Sequence, residues 1–426
     1  MLHMRTIVSL ATLGSAAVAG IVVSVGGCSS SSSTQQPDGG ESASSSGAAS
    51  SSGGSGAGSG STSGAGSGGS SGAGSGASSG AGSGGSSGAG SGGSSGAGSG
   101  SGSGTGSGSS TGDGASNTVG GIFTQPEPWT KDVSSLTKDP SSDAIIAALV
   151  SSGGWGNGRL QIDFSIPLFF ASASTPKQTI TGPSGGGYCS GGPDCDAVPL
   201  QMPIPANGNI EGSTNYTCDT SNNDCHLLVV DTSQQKLFEL YNATLAGSAY
   251  TAGGAFVWDL TKAYPDNERG EQCTSADAGG FPIAGLLPTA DEVAAGAVNH
   301  AIRFILPNAR MKKKVYVHPA SHAGAPSSTD ANAPPYGVRF RLKAAFDETP
   351  FSTGAKVILK AMKTYGMLLS DGGNIALTFA DDRTTNAKWA GQGVTAQSFA
   401  AIKPGDFEVV DLGADIPLTY NCVRNP

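Results

Sequence analysis

From Ser29 to about Asn117 the chain is almost entirely Ser, Gly and Ala, with a Gly-Ala-Gly-Ser-Gly-Gly-Ser-Ser pattern recurring every eight residues. A stretch of this composition has no apolar surface whose burial could offset the entropy of ordering, so a disordered tether is expected. About 90 such residues have a root-mean-square span on the order of 50 Å. The tether accounts for much of the content of 68 glycines, so that count is no argument for a phosphate-binding loop. Folding is left to residues 119–426, about 300 residues, enough to bury a substantial core as one domain.

Ahead of the tether stand Arg5, a mostly apolar run from Ile7 to Val25, and then Val25-Gly26-Gly27-Cys28. A basic residue, an apolar core and small residues before a cut form a secretory signal, expected over residues 1–27. The cysteine after Val-Gly-Gly resembles the bacterial lipoprotein lipobox. That resemblance implies a diacylglycerol on the Cys28 sulfur, with the tether following over 28–118. Ser29, in place of an aspartate, favours the outer membrane or cell surface. No later apolar run approaches the ~20 residues that span a bilayer. The formal charge of −9 argues against nucleic acid as a partner; the membrane, through the lipid, is the expected one, and a monomer the expected state.

Six cysteines remain: Cys189, Cys195, Cys218, Cys225, Cys273 and Cys422. An even number in an exported chain reads as disulfides. Proximity favours Cys189–Cys195 and Cys218–Cys225, leaving Cys273–Cys422 to fasten the C-terminus. A Cys-rich zinc site would want a Cys-x-x-Cys pair, and none is present; neither metal nor cofactor is implied.

Patterning along residues 119–426 indicates many strands and few helices. Helices are expected at Ser141–Ser151, Asp291–Ala297 and Ser352–Tyr365, the last stopped by Gly366. Leu160–Ala171 alternates as a strand with Pro167 marking an edge or bulge. His226–Asp231 and Lys236–Asn242 are hairpin-spaced, and a Thr232–Gln235 loop sets Asp231 opposite Lys236, Leu228 opposite Glu239 and His226 opposite Tyr241. That register puts His226, Glu239 and Tyr241 on one face and Leu227, Val229, Phe238 and Leu240 on the core face. Further strands are expected at Ala255–Leu260, Ala301–Leu306, Val315–His318, Gly337–Ala344 and Ile375–Phe379. The fold class is therefore β-rich (α+β), most simply an antiparallel sandwich or jelly roll with peripheral helices.

The chain has no Gly-x-Ser-x-Gly elbow, His-Glu-x-x-His, Walker loop or Rossmann fingerprint. Three groups could carry chemistry. Glu211 with Asp224 and His226, beside the Cys218–Cys225 loop, offers a carboxylate–imidazole acid–base pair, with Glu239 and Tyr241 brought in by the hairpin. Asp277 in the small-residue loop after Cys273, with His300 and Arg303, offers a second wall. Arg339, Arg341 and Lys343 line one face of a strand and could grip acidic groups; the plain alternative is a solvated face. His318 and His322 have a spacing that could chelate a metal but seldom does.

The ordered segments PIPANGNIEG, DCHLLVVD, LFELYNA, GAFVWDL, TSADAGGFPIAGLL, VNHAIRF, PPYGVRFRLKA and ILKAMKTYGMLL resemble a widespread family of secreted bacterial domains of uncharacterised activity. The resemblance runs from Phe123 to about Asp382, with an insertion before Asp224-Cys225-His226. It implies one coherent extracellular domain and no mechanism. The expectation is a surface-tethered lipoprotein that degrades polysaccharide, as hydrolase or lyase. A hydrolase would use two of Glu211, Glu239 and Asp277; a lyase would use His226 or Tyr241 as base, with Arg303 or the 339/341 face neutralising a uronate. The alternative is a non-catalytic surface lipoprotein that binds glycan or protein.

Overall fold

The computed structural model describes residues 119–183, 192–219 and 224–426. Cys28, the signal segment, the tether and Cys189 lie outside the described residues.

The chain enters through α1 (Ser142–Ser151), then β1 (Ile162–Ile166) and β2 (Leu168–Ala171). Pro167 falls between these two strands, which join different sheets; a residue without an N–H cannot continue a ladder. There follow β3 (Lys177–Thr181), β4 (Leu200–Pro203), β5 (Leu227–Asp231), β6 (Lys236–Tyr241), β7 (Thr244–Ala246), β8 (Ala249–Thr251) and β9 (Gly254–Asp259). After the short β10 (Gly270–Glu271) come α2 (Ala290–Ala295), β11 (Ile302–Leu306), β12 (Val315–Tyr316) and β13 (Arg339–Leu342). The chain closes with α3 (Thr353–Thr364), β14 (Met367–Gly372), β15 (Leu377–Ala380), β16 (Phe407–Val410), β17 (Ile416–Pro417) and β18 (Val423–Arg424).

The domain is β-rich with few helices, as expected, but its sheets are mixed rather than antiparallel throughout. The largest has the order β1-β15-β11-β14-β13-β16. In it β1 runs parallel to β15 and β11 parallel to β14, while β13 is antiparallel to both neighbours. A second sheet has the order β2-β5-β6-β9, with β2 parallel to β5, and a third the order β4-β3-β8-β7. β11 is buried along its whole length and β14 over its first four residues, and strands covered on both faces read as apolar runs without alternation.

The β5–β6 hairpin has the expected register, with Leu228 opposite Glu239 and Asp231 opposite Lys236. Its two faces serve two cores. Leu227, Val229, Phe238 and Leu240 pack with Ile180, Met202 and Tyr216 under the third sheet. Leu228, Val230 and Leu237 join the main core with Phe256, Phe281 and Phe304. The face expected to carry polar residues into the open is therefore an internal one. Burying one such Leu or Phe contributes about 1.5–3 kcal/mol, which explains why a six-residue strand with a single carboxylate still turns inward.

α3 opens on Ser352, whose side chain accepts the Ala355 N–H, and buries Ala355, Ile358, Leu359, Ala361 and Met362. Gly366, at φ 77°, turns the chain straight into β14, a left-handed conformation that favours glycine. Disulfides join Cys218 to Cys225 and Cys273 to Cys422; Cys195 is also disulfide-bonded. Among the described residues no helix is long and apolar enough to cross a membrane.

Candidate functional site

The loop closed by Cys218 and Cys225 delivers His226 to the head of β5, where it meets Glu211. The two backbones pair, Glu211 N–H donating to the His226 carbonyl at 3.0 Å. The Glu211 carboxylate then accepts from the His226 amide at 3.2 Å and from its ring Nδ1 at 2.7 Å. Ring Nε2 lies 3.0 Å from the carbonyl of Ala276. A carbonyl only accepts, so Nε2 carries hydrogen, and so does Nδ1 facing a carboxylate: the ring is an imidazolium. Burial alone depresses its pKa, but Glu211, with Asp224 assisting, outweighs burial and raises it to about 9. Burial likewise pushes Glu211 up, and His226 more than reverses that. The expected pair exists as a fixed, buried ion pair rather than as a free acid and base.

The second group meets as well. Arg303, on β11, donates to Asp277 through Nε at 2.9 Å and Nη2 at 3.1 Å. Its Nη2 also reaches Asp371 on the neighbouring β14 at 3.0 Å, and Nη1 donates to Thr378 on β15 at 2.7 Å. Burial works against this cation, yet Asp277 and Asp371 hold its pKa above the ordinary value. Two carboxyls thus share one guanidinium. Asp277 holds it bidentately, and Asp371 is the one that takes up a proton: burial first, then the charge of Asp277, push its pKa to about 8 against the pull of Arg303. The Asp371 side chain is 20% exposed, unlike the fully buried Asp277, and it faces a cleft.

That cleft is small, with an accessible volume of about 60 Å³, so it admits one group of a ligand and not a whole one. Asp224, His226, Asp371, Asn308, Tyr241, Tyr336 and His322 line it, together with the Thr274–Ala276 turn. The Tyr241 ring lies 5.8 Å from that of His226. Burial raises the Tyr336 phenol well above its ordinary pKa, so it stays neutral. His322 has Nδ1 at 2.9 Å from the Ala278 carbonyl, which makes Nδ1 the N–H and leaves Nε2 an acceptor. Burial pulls its pKa down, so the ring is neutral.

Of the six residues expected to be catalytic, His226 and Tyr241 line the cleft, and Glu211, Asp277 and Arg303 form a charged layer directly behind it. Glu239 is further in, fully buried, accepting from Trp258 Nε1 at 3.1 Å and from the Ala284 N–H at 2.9 Å. Burial pushes its pKa to about 8.

The residues expected to bind substrate lie elsewhere. His300 has Nδ1 on the Ala301 carbonyl at 2.7 Å and Nε2 at 3.3 Å from Glu292, a helix-anchoring pair. Arg339 donates to the carbonyls of Tyr365 and Pro128. Arg341 donates to those of Val133, Ser134 and Leu136 and pairs with Glu408. Lys343 is exposed and donates to the Gly405 carbonyl at 2.6 Å. Arg339 and Arg341 are buried and clasp the entry segment, while Lys343 alone of the three stays exposed. His318 pairs with Glu271 at 3.1 Å, so it does not act with His322. Among the described residues one group gathers metal-ligating atoms, Asp194 with Cys273 and Cys422, and those two cysteines are joined as a disulfide.

Sequence reasoning passed over Asp371, Asn308 and Tyr336 and considered His322 only for metal. A signal for Asp371 was present: Met367-Leu-Leu-Ser-Asp371-Gly-Gly ends an apolar run in a carboxylate and two glycines, the form of a buried strand opening into a site. No family model, curated protein or solved structure matches the chain.

Proposed function

We propose that the domain is an extracellular acid–base hydrolase of glycans, displayed on the cell surface by a lipid on Cys28 and the Ser/Gly/Ala tether. The observation that carries this reading is the placement of two carboxyls, Asp371 and Asp224, on one cleft, where burial and the charge of Asp277 push the pKa of Asp371 up to about 8. Glycoside hydrolysis needs one carboxylic acid to protonate the leaving oxygen and one carboxylate to activate water or attack the sugar. Asp371 supplies the proton. Asp224, beside the imidazolium of His226, removes a proton from the attacking water, whose hydroxyl adds to the anomeric carbon as the glycosidic bond breaks. The proton taken by Asp224 then returns to Asp371 through solvent.

Elimination is less well supported. A lyase must neutralise a uronate carboxylate, and no Arg or Lys is among the described residues lining the cleft. Arg303 behind it has its donors engaged by Asp277, Asp371 and Thr378. A binding-only lipoprotein is the second reading, favoured by one observation: Glu211, His226, Asp277 and Arg303 are all held in mutual pairs. The test is to incubate the full chain with neutral and acidic polysaccharides. New reducing ends without the ultraviolet absorbance of an unsaturated uronate support hydrolysis. Retention on a glycan without either product points to binding alone.

A further inference from the structure

Two side chains on the cleft keep a polar atom open to it with no partner among the described residues. Asn308 begins the short 3-10 turn Asn308–Arg310 that follows β11, and its backbone carbonyl accepts the Ser327 N–H at 2.8 Å. Its side chain lies over Gly372, the last residue of β14 and the parallel neighbour of Leu306. Oδ1 is turned inward there and buried, so Nδ2 is the end left at the cleft wall. His322, only 3% exposed, commits Nδ1–H to the Ala278 carbonyl at 2.9 Å, which leaves Nε2 of the neutral ring to accept. Around them Asp371 is held by Arg303, His226 by Glu211 and the Ala276 carbonyl, and Ser275 by the carbonyls of Asp277 and Phe281. Standing at the end of two adjacent buried strands, Asn308 has the rigid footing that a specificity residue needs.

The open pair is thus one uncharged donor and one uncharged acceptor. A hydroxyl answers both, since its oxygen accepts and its hydrogen donates. An ammonium would meet the N–H groups of Asn308, and a carboxylate would meet the lone pair of His322 beside Asp224 and Asp371. An acetamido group carries both a donor and an acceptor, but it sets them on opposite sides of a planar unit bearing a methyl, bulk that an accessible volume of about 60 Å³ does not take. We infer that the cleft reads the free hydroxyls of a neutral sugar, with Asn308 Nδ2 donating to a hydroxyl oxygen and a hydroxyl hydrogen going to His322 Nε2. The inference rests on the glycan reading above and narrows it to neutral, unsubstituted sugars; both residues position the sugar and neither moves a proton.

The test is calorimetric titration of the full chain at neutral pH with gluco-, manno- and galacto-oligosaccharides, the per-O-methylated form of each, an N-acetylglucosamine oligomer and a uronate oligomer. At least one neutral oligomer should bind about tenfold or more tighter than its O-methylated form and than the acetylated and uronate oligomers. Asn308→Ala should weaken that oligomer about three- to tenfold, the size of one lost hydrogen bond. Because the Asn308 amide makes no hydrogen bond within the described residues, the variant should keep its urea midpoint, which separates lost binding from lost folding. His322→Phe, a ring without an acceptor, should shrink the margin over the O-methylated form, and His322→Gln, which keeps an acceptor, should retain more of it. Tighter binding of the acetylated or uronate oligomer, no binding of any neutral oligomer, or unchanged affinity in Asn308→Ala overturns the inference. Hydroxyl-dependent binding without reducing-end release leaves the inference standing and removes the hydrolase. Reducing-end release from neutral glycan that neither Asn308→Ala nor His322→Phe slows does the reverse.

Discussion

His226 Nδ1 lies 2.7 Å from Glu211 Oε2, while the other nitrogen of the same ring holds the carbonyl of Ala276. This one side chain therefore ties three separate pieces of chain together: the loop after Ile210, the head of β5 and the Ser275–Asp277 turn, whose Ser275 and Ala276 line the cleft. With both nitrogens engaged it cannot shuttle protons. What it presents to the cleft is a fixed positive charge near Asp224.

Removing the cation should leave Glu211 buried without its partner. Breaking a buried pair from one side costs about 3–5 kcal/mol, so His226→Gln should lower stability by about that much in urea unfolding near pH 6. The pH dependence follows from the same shifts. His226 moves from 6.5 up to about 9, so its stabilisation is complete below pH 6.5 and lost as pH rises through about 9. Glu211 is shifted down from 4.5, so its share is present above that value and lost as pH falls through the lowered one. Glu127, Glu239 and Asp371, each raised to about 8, add to the alkaline decline. Stability should fall from mildly acidic pH toward pH 9, and the fall should be shallower in the variant. An unchanged slope would remove the imidazolium from this account.

Arg341 distinguishes a clasp from a ligand surface. It donates to three carbonyls of the entry segment, and hydrogen bonds to a charged group contribute about 1.5–3 kcal/mol each. Arg341→Ala should loosen residues 131–139, seen as faster amide hydrogen exchange there, and leave glycan affinity unaltered. Loss of glycan binding with exchange unchanged would restore the ligand-face reading.

The C-terminal strands depend on a covalent link. Cys273 and Cys422 are 149 residues apart, and closing a loop of that order constrains the unfolded chain by roughly 4–5 kcal/mol. Cys422→Ser should lower the urea midpoint, with a loss no larger than the 2–5 kcal/mol typical of a native disulfide. The β10–β18 pairing, at Gly270–Arg424, should be the first ladder to exchange.

Much of this arrangement was legible from residue pattern. The β5–β6 register follows from two apolar alternations and a four-residue loop, and the short spacings picked out the Cys218–Cys225 bridge. The location of Glu211, His226, Tyr241, Asp277 and Arg303 in one region also came through. Their roles did not. Whether a strand face is open or buried depends on what packs on it, and the β5–β6 sheet has a core on each side, which period-two alternation cannot reveal. Asp371 escaped because β14 is buried over Met367–Ser370 and so lacks alternation, and because its partner Arg303 lies 68 positions away. The Arg339–Lys343 face misled for a related reason: most of the carbonyls that engage Arg339 and Arg341 belong to an entry segment with no patterning of its own.

The sharpest test falls on Asp371. Its proton is held by burial and by Asp277, and Asn is nearly isosteric with the protonated acid. Asp371→Asn should therefore keep the Arg303–Asp277 pair and change stability little at neutral pH, while removing the proton donor. Loss of a positioned general acid costs about 10²–10⁴-fold in rate, so reducing-end release should fall by that factor, whereas glycan affinity should fall far less. The pH–rate profile gives an independent readout. Wild-type activity should decline on the alkaline side with a midpoint near the value of about 8 set by burial and Asp277, because only the protonated carboxyl donates. In Asp371→Asn the residual activity should lose that limb. If the alkaline limb persists, the donor is another group, and Glu239, with its pKa also near 8 but buried away from the cleft, would have to be tested through Glu239→Gln; loss of the limb in that variant would place the acid behind the cleft wall rather than on it.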